Sequence, residues 1–318
     1  MAGSEYPNGF KNGISIRGLP LAVTHPGEIF WVNGSSVLAK NGIGGSNGND
    51  GTYRKPFATI DYAVSRCTAS RGDIIMVMPG HTETVTTDGG IALDVAGIAV
   101  IGLGSGTLRP KVILDTAAAA AVTVSAANVT IHNVVFEASF ADVTNAIDVT
   151  AADLTVSACE FKEEGADLNF VDIINASSTT DNTADGLTVI DCVSTAIDAG
   201  IDSFIVTAAD LDRLVVQRNV VNHVHASALY LVEALTGKDL SDALITDNHY
   251  ATLKTTGAVL ISTDTTTANT GFVARNTVGH RDTATELLIT AATSFVLSQN
   301  YATAADDASG YLLPAADA

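Results

Sequence analysis

The chain has 318 residues, of which 47% are hydrophobic and 16% are charged, whereas about 25% of a typical soluble domain is charged. The 16 Lys and Arg residues against 35 Asp and Glu residues give a net charge of −19, which excludes a nucleic-acid binder that works by neutralising phosphates. The high apolar content argues against disorder, and the lack of an apolar run of about 18 residues argues against a transmembrane helix.

Residues 1–50 are expected to form an extended arm that ends in a Gly- and Asn-rich linker. Gly and Pro punctuate this segment, and its apolar side chains are available to contact another surface. We expect the arm to dock on another protein or on a symmetry mate; the alternative is that it only caps its own domain. The candidate docking residues are Phe10, Ile14, Ile16, Leu19, Leu21, Phe30 and Trp31.

A short amphipathic helix is predicted over residues 58–67. Ile60, Ala63, Val64 and Cys67 recur at i, i+3, i+4 and i+7, and therefore share one face. A turn and a buried strand follow, over residues 71–73 and 74–78. We expect the helix to cover the apolar end of the domain that begins at residue 51, because that end would otherwise be an exposed sheet edge.

Residues 51–301 contain a recurring strand–turn–strand pattern in which Val, Ile and Thr dominate. Its second strands align on one column, with gaps of 25, 33, 27, 29, 28 and 23 residues. Such a period indicates stacked repeats, and the absence of a 3.6-residue pattern indicates strands without helices. The sequence therefore predicts an all-β, right-handed parallel β-helix, followed by a C-terminal tail over residues 302–318. The aligned column consists of Val134, Cys159, Cys192, Asn219, Asn248, Asn276 and Gln299.

The middle of this column predicts a structural ladder. Asn219, Asn248 and Asn276 can hydrogen bond along the stack, as Asn ladders do between stacked strands. Cys159 and Cys192 occupy the same column, where cysteine behaves as a small buried hydrophobe. We expect both cysteines to be structural rather than reactive. The wide spacing of the three cysteines predicts neither a metal site nor a disulfide framework.

The start of the repeat region carries a motif that resembles a known family. The pattern G-T-x-x-x-P-F-x-T-I-x-x-A, followed by G-D-x-I-x-V-x-P-G-x-x-x-E, is similar to the entry motif of the pectate-lyase-like right-handed β-helix superfamily, and in particular of its phage virion proteins. The resemblance covers about residues 51–301 and implies the fold, but it implies little about function. The motif residues are Gly51, Thr52, Pro56, Phe57, Thr59, Ile60, Ala63, Gly72, Asp73, Ile75, Val77, Pro79, Gly80 and Glu83.

Candidate catalytic and metal-binding groups are weaker signals. Asp residues recur along the repeats, Asp172 among them, and most of the recurring Asp residues stand beside Ala, Thr or Gly at turn positions, where they are expected to cap turns. His223 and His225 would share one strand face, with His249 as a third metal ligand, but a surface pair is the preferred interpretation. His280 to Asp282 is expected to be a charged loop. We therefore predict no catalytic residue, metal or cofactor. The densest candidate cluster, also interpreted as solvated turns, is Asp198, Asp202, Asp210, Asp212 and Arg213.

These observations favour a non-enzymatic phage virion structural protein, most simply a capsid decoration (cement) protein that docks through its arm. Its partner would be the major capsid protein or another virion protein. We expect a homo-oligomer, with a trimer as one arrangement, and neither nucleic acid nor membrane as a partner. No secretory signal is visible, and we expect a virion location after assembly in the host cytoplasm. One alternative is a tail-fibre or tail-spike adhesin that binds host surface glycan, and a second is a polysaccharide lyase or hydrolase.

Overall fold

The protein is a right-handed parallel β-helix, as the sequence predicts. A computed structural model describes residues 15–16, 19–20, 27–34, 43–197, 200–223, 230–252, 259–262, 269–279, 294–303 and 311–313. Within these ranges, no helix is both long enough and apolar enough to span a membrane.

Three parallel sheets, called A, B and C here, form the walls of the solenoid. Sheet A consists of Ile29–Val32, Ile74–Val77, Ala99–Gly102, Thr130–His132, Thr155–Ser157, Thr188–Ile190, Val215–Gln217, Ala243–Thr246, Thr270–Ala274 and Ser294–Ser298. Sheet B consists of Thr82–Val85, Lys111–Leu114, Val135–Ala138, Glu160–Glu163, Val193–Ala196, Val220–His223, His249–Thr252, Thr277–Gly279, Asn300–Thr303 and Tyr311–Leu313. Sheet C consists of Ile91–Leu93, Val122–Val124, Val143–Val149, Phe170–Ala176, Ser203–Thr207, Tyr230–Ala234 and Val259–Ser262.

From Ile74 to Ser262, the chain passes from sheet A to sheet B to sheet C in each coil before it returns to sheet A. Equivalent strands of successive coils pair in parallel, except that Tyr311–Leu313 closes sheet B antiparallel to Asn300–Thr303. Two short pairs complete the described strands. Ser15–Ile16 pairs with Leu19–Pro20, and Leu211–Asp212 pairs with Leu240–Ser241.

The core lies inside the coil, because alternate side chains of each strand point inward and stack on their equivalents one coil away. The rings of Phe136 and Phe161, for example, stack with their centroids 5.2 Å apart. In sheet C the inward stack is mostly Ile, with Val at two positions, and each member is buried. This stack consists of Ile91, Val122, Ile147, Ile174, Ile205, Val232 and Ile261.

The corner between sheets A and B repeats from coil to coil. At seven successive corners one residue has a positive φ of 52–61°, and the residue after it points into the core. The positive-φ residues are Asn133, Ala158, Asp191, Arg218, Asp247, Arg275 and Gln299. The buried residues after them are Val134, Cys159, Cys192, Asn219, Asn248, Asn276 and Asn300. Asn300 thus holds the place that the sequence alignment gives to Gln299, because Gln299 makes the left-handed corner itself.

The asparagines of this column form a continuous hydrogen-bonded ladder. Asn248 Nδ2 donates to Asn276 Oδ1 at 2.9 Å and to the Val216 carbonyl at 2.9 Å. Asn248 Oδ1 accepts from the backbone N–H and from Nδ2 of Asn219, both at 3.0 Å. Asn276 continues the pattern to Asn300. At the other end, the Cys192 backbone N–H donates to Asn219 Oδ1 at 2.9 Å.

Among the described residues, one α-helix, Ile60–Val64, precedes the first complete coil, and it is shorter than the span 58–67 that the sequence predicts. Thr59 caps it by accepting from the Tyr62 N–H at 3.3 Å. Glu83 Oε2 accepts from the Ile60 N–H at 2.8 Å, so a carboxylate satisfies another of the free donors at the helix start. The apolar face of the helix is buried against the first strands of the solenoid.

Sheet A begins before residue 51. Ile29–Val32 pairs in parallel with Ile74–Val77 and has alternately buried side chains. Phe30 is buried, with its ring 5.8 Å from that of Phe57. The sequence places Phe30 and Trp31 in an extended docking arm, whereas the structure makes this segment the first strand of the β-helix, since its alternating pattern matches the pleat.

Candidate functional site

Three carboxylates from consecutive coils meet on the outer side of sheet C. Asp172 and Glu233 lie in strands that are two positions apart in the sheet, and Asp202 directly precedes the strand between them. Adjacent strands are about 4.8 Å apart, so the coil brings together groups that are distant in sequence. Two register rows define the site. They are Asp172–Ser203–Tyr230 and Asn175–Val206–Glu233.

These rows border a cleft of about 330 Å³, which is open on one side. Most of its polar groups are acids, amides and hydroxyls. The lining residues are Asp172, Asn175, Ser177, Asp202, Val206, Ala208, Glu233 and Leu235.

Ser203 connects two of the carboxyl groups. Its hydroxyl donates to Glu233 Oε2 at 2.5 Å. Its backbone N–H and its side chain also hydrogen bond with the Asp172 carboxyl group. When Asp172 is protonated, its O–H can donate to the Ser203 oxygen while the Ser203 hydroxyl donates to Glu233. A chain of hydrogen bonds then runs from an acid, through a hydroxyl, to a carboxylate.

The environment of Asp172 favours the protonated form. Burial raises the pKa of Asp172 to about 7, and the negative charges of Glu233 and Asp202 add to this effect, while the hydrogen bonds from Ser203 oppose it. One carboxyl oxygen, Oδ1, is buried without a hydrogen-bond partner. At neutral pH a large fraction of Asp172 therefore carries a proton.

Neighbouring groups on sheet C show the same influence of burial and negative charge. Burial, followed by the charge of Glu233, raises the pKa of the Tyr230 hydroxyl. Burial also raises the pKa of Asp148, which hydrogen bonds with Ser177 at one edge of the cleft. A protonated acid beside further carboxylates is the arrangement required for general acid–base chemistry.

The cluster proposed from the sequence is not assembled in the structure. Asp202 lines the cleft, but Asp210 and Asp212 lie beyond the other end of the same strand. Their region is a corner network, in which Asp210 accepts from the Asp239 N–H at 3.0 Å. Arg213 lies 3.9 Å from Asp153. Asp198 lies outside the described residues.

The histidines are also separated. His223 is buried, with Nε2 2.7 Å from the Ser194 hydroxyl oxygen, whereas His249 is exposed in the next strand. His225 and residues 280–282 lie outside the described part of the chain. Within the described part, no three His, Cys, Asp or Glu side chains are grouped so as to hold a metal ion.

Of the docking candidates, Phe30 and Trp31 are in sheet A, and Trp31 packs edge-on against Tyr53 with centroids 5.1 Å apart. Ile16 and Leu19 pair with each other in the short antiparallel ladder. Three further candidates lie outside the described residues. They are Phe10, Ile14 and Leu21.

The sequence reasoning missed the cleft. The sequence pattern places Asp172 among recurring Asp residues without a role of its own and Asp202 in a cluster of solvated turns, and it does not single out Glu233. A signal was nevertheless present, because positions 172, 202 and 233 are 30 and 31 residues apart, close to the repeat period. Aligning the sheet C strands, rather than the corners between sheets A and B, would have placed the three carboxylates on neighbouring coils.

Comparison with protein-family models gives no match, and comparison with curated proteins gives none either. Among solved structures, the chain is similar to a rhamnogalacturonan lyase, with a TM-score of 0.40 and 14% identity over 86% of this chain and 87% of the lyase. It is also similar to a GH136 lacto-N-biosidase from Eubacterium ramulus, with a TM-score of 0.35 and 11% identity over 87% of this chain and 68% of that protein.

Both of these proteins are enzymes with a β-helix-type fold, and this finding contradicts the expectation of a protein without enzyme activity. Neither is a virion protein, so the comparisons give no support to the phage subtype of the fold. With TM-scores of 0.40 and 0.35, these likenesses identify neither a reaction nor a substrate for this chain.

Proposed function

We propose that the chain hydrolyses glycosidic bonds in the cleft on sheet C. The observation that carries this proposal is Asp172, a carboxyl group whose pKa is raised to about 7 in an open cleft that it shares with Glu233 and Asp202. Glycoside hydrolases require such a pair, in which one carboxyl group gives a proton to the leaving oxygen and another activates the attacking water or attacks directly.

In the proposed reaction, protonated Asp172 gives its proton to the glycosidic oxygen as the bond from that oxygen to the anomeric carbon breaks. A water molecule attacks the anomeric carbon, and Glu233 takes a proton from that water. The electrons of the broken bond go to the leaving hydroxyl group, so atoms and charge balance. Ser203 orients Glu233 through their 2.5 Å hydrogen bond, and Asp202 contributes negative charge near the positive charge that develops on the sugar ring.

Hydrolysis fits the cleft better than β-elimination does. A lyase must remove a proton from carbon, for which a basic side chain is suited, and must balance the charge of a uronate carboxylate. None of the described residues that line the cleft is Lys, Arg or His. The carboxyl groups that are present suit proton donation and water activation instead.

The test is release of reducing ends from a panel of oligosaccharides by the wild-type chain and by Asp172→Asn. We expect the variant to lose activity by about 10²–10⁴-fold, which is the usual contribution of a general acid. Asp153→Asn is the matched control, because Asp153 is half exposed at a corner with positive φ, a conformation that Asn also adopts. Wild-type activity should fall as the pH rises above about 7, where Asp172 loses its proton.

Two results would overturn the proposal. One is unchanged activity in Asp172→Asn; the other is glycan binding without cleavage by the wild-type chain across the panel, which is the behaviour expected of an adhesin. The capsid partner, the virion location and the oligomeric state stay predictions from the sequence.

A further inference from the structure

The charge of the cleft limits which glycans it can accept. Asp172, Asp202 and Glu233 all border it, and no Lys, Arg or His is among its described lining residues. The whole chain adds a net charge of −19. An approaching anion therefore meets repulsion both at long range and at contact.

Several cations elsewhere on the solenoid have carboxylate partners, and Lys238, which follows the sheet C strand of Glu233, pairs with Asp181 at 2.9 Å. Lys111 and Lys162 both contact Glu137 on sheet B, at 2.8 and 2.7 Å. Arg218 pairs with Asp191 at 2.7 Å, at a corner between sheets A and B. The pairs at Glu137 and Asp191 lie on other walls of the coil, so they do not neutralise the sheet C cleft.

Two buried polar atoms in the register row of Asp172 have no hydrogen-bond partner. Asn145 is paired in register with Asp172 and is only 7% exposed, yet its Nδ2 has no hydrogen-bond partner. Asp172 Oδ1 is likewise buried and unpartnered. A sugar hydroxyl accepts one hydrogen bond and donates another, so it can satisfy an N–H donor and an oxygen acceptor together.

We infer that the substrate is a glycan without anionic groups, that is, one free of uronate, sulfate and sialate where it crosses the cleft. This inference rests on the proposed glycosidase function and deepens it. One carboxylate placed about 5 Å from a cleft carboxylate, at an effective dielectric constant of about 20, would weaken binding on the order of 100-fold.

The experiment measures binding and cleavage with matched glycan pairs. Each pair consists of one glycan backbone in a charged and an uncharged form, for example oligogalacturonate and its methyl ester. Neutral gluco-, xylo- and galacto-oligosaccharides are tested alongside these pairs. We expect the wild-type chain to favour the uncharged member of a recognised pair by about 100-fold in 20 mM NaCl, and the difference to shrink in 500 mM NaCl, because salt screens exposed charges. Asp202→Asn should reduce the preference about 10-fold, whereas Asp153→Asn should leave it unchanged.

The possible results separate the two proposals. Equal or preferential binding of the anionic member, with cleavage, would overturn the inference and leave the glycosidase function intact. The inference would also be overturned if the chain cleaves uncharged glycans but neither salt nor Asp202→Asn alters its preference for them. In that case the shape of the glycan, rather than its charge, would determine the preference. Failure to bind or cleave any glycan would overturn the proposed function itself.

Discussion

Replacing Asp172 by Asn should stabilise the protein, and by an amount that depends on pH. Because the pKa of Asp172 in the folded chain is raised from 3.8 to about 7, the folded state holds a proton that the unfolded state releases between these values. The contribution of Asp172 to stability is therefore fully present below about pH 4 and is lost as the pH rises through 7. At about 1.36 kcal/mol per pKa unit the loss amounts to about 4 kcal/mol.

Asn cannot ionise, so Asp172→Asn removes this loss. Water reaches part of the open cleft and screens the charges, and we therefore expect a measured gain of about 2–3 kcal/mol at pH 8 and almost none at pH 4. Urea unfolding of the wild-type and variant chains at both pH values gives the difference, and Asp153→Asn serves as the control. The same variant should lose catalysis, so stability and activity would change in opposite directions. An equal effect of the substitution at pH 4 and pH 8 would refute the assignment of the raised pKa to Asp172.

Three further predictions concern the scaffold. Asn248→Ala should cost about 3 kcal/mol in urea unfolding, because it leaves buried partners in the ladder unsatisfied, whereas exposed Asn222→Ala should change stability by less than about 0.5 kcal/mol. Burial raises the pKa of Asp73, but its hydrogen bonds with Arg71 and with two backbone N–H groups outweigh burial, so the net effect is a lowered pKa. Asp73→Asn should therefore cost about 3 kcal/mol in stability at pH 7. Thermal unfolding should show this cost vanishing as the pH falls below 4. Burial, followed by the charge of Asp73, raises the pKa of Cys67 to about 12, and the other two cysteines are buried. A thiol reagent should therefore label the native chain slowly at pH 8 and the urea-unfolded chain fast.

The coil architecture was predictable because its signal is local and repeated. Each corner places a left-handed residue before an inward-pointing one, so the column that contains Cys159, Asn219 and Asn248 can be aligned from sequence alone. The error at the last coil has a simple cause. Gln299 and Asn300 are adjacent amides, and only the backbone shows that Gln299 has a φ of 52° and that Asn300 points inward.

The cleft was harder to predict because its chemistry depends on which wall of the coil a residue occupies. Asp172 stands between Val171 and Ile173 in a strand pattern and Asp202 looks like a turn aspartate, so their sequence neighbours do not mark either as part of a site. Their proximity to Glu233 depends on the register of sheet C, and the pKa of Asp172 depends on burial that only the stacked coils produce. Phe30 illustrates the converse problem, since its strand partner Ile75 lies 45 residues further along the chain.

Because the corner between sheets A and B repeats, the number of coils can change without changing the contacts in the cleft. Every coil presents the same hydrogen-bonding edge to the next, so a coil added or removed away from the cleft would leave the contacts among Asp172, Ser203 and Glu233 unchanged. Those contacts use only three coils. Selection could therefore lengthen or shorten the rod, or change residues on another wall, while the geometry of the proposed site stays constant, and an engineer could use the same freedom to move these three coils along the solenoid.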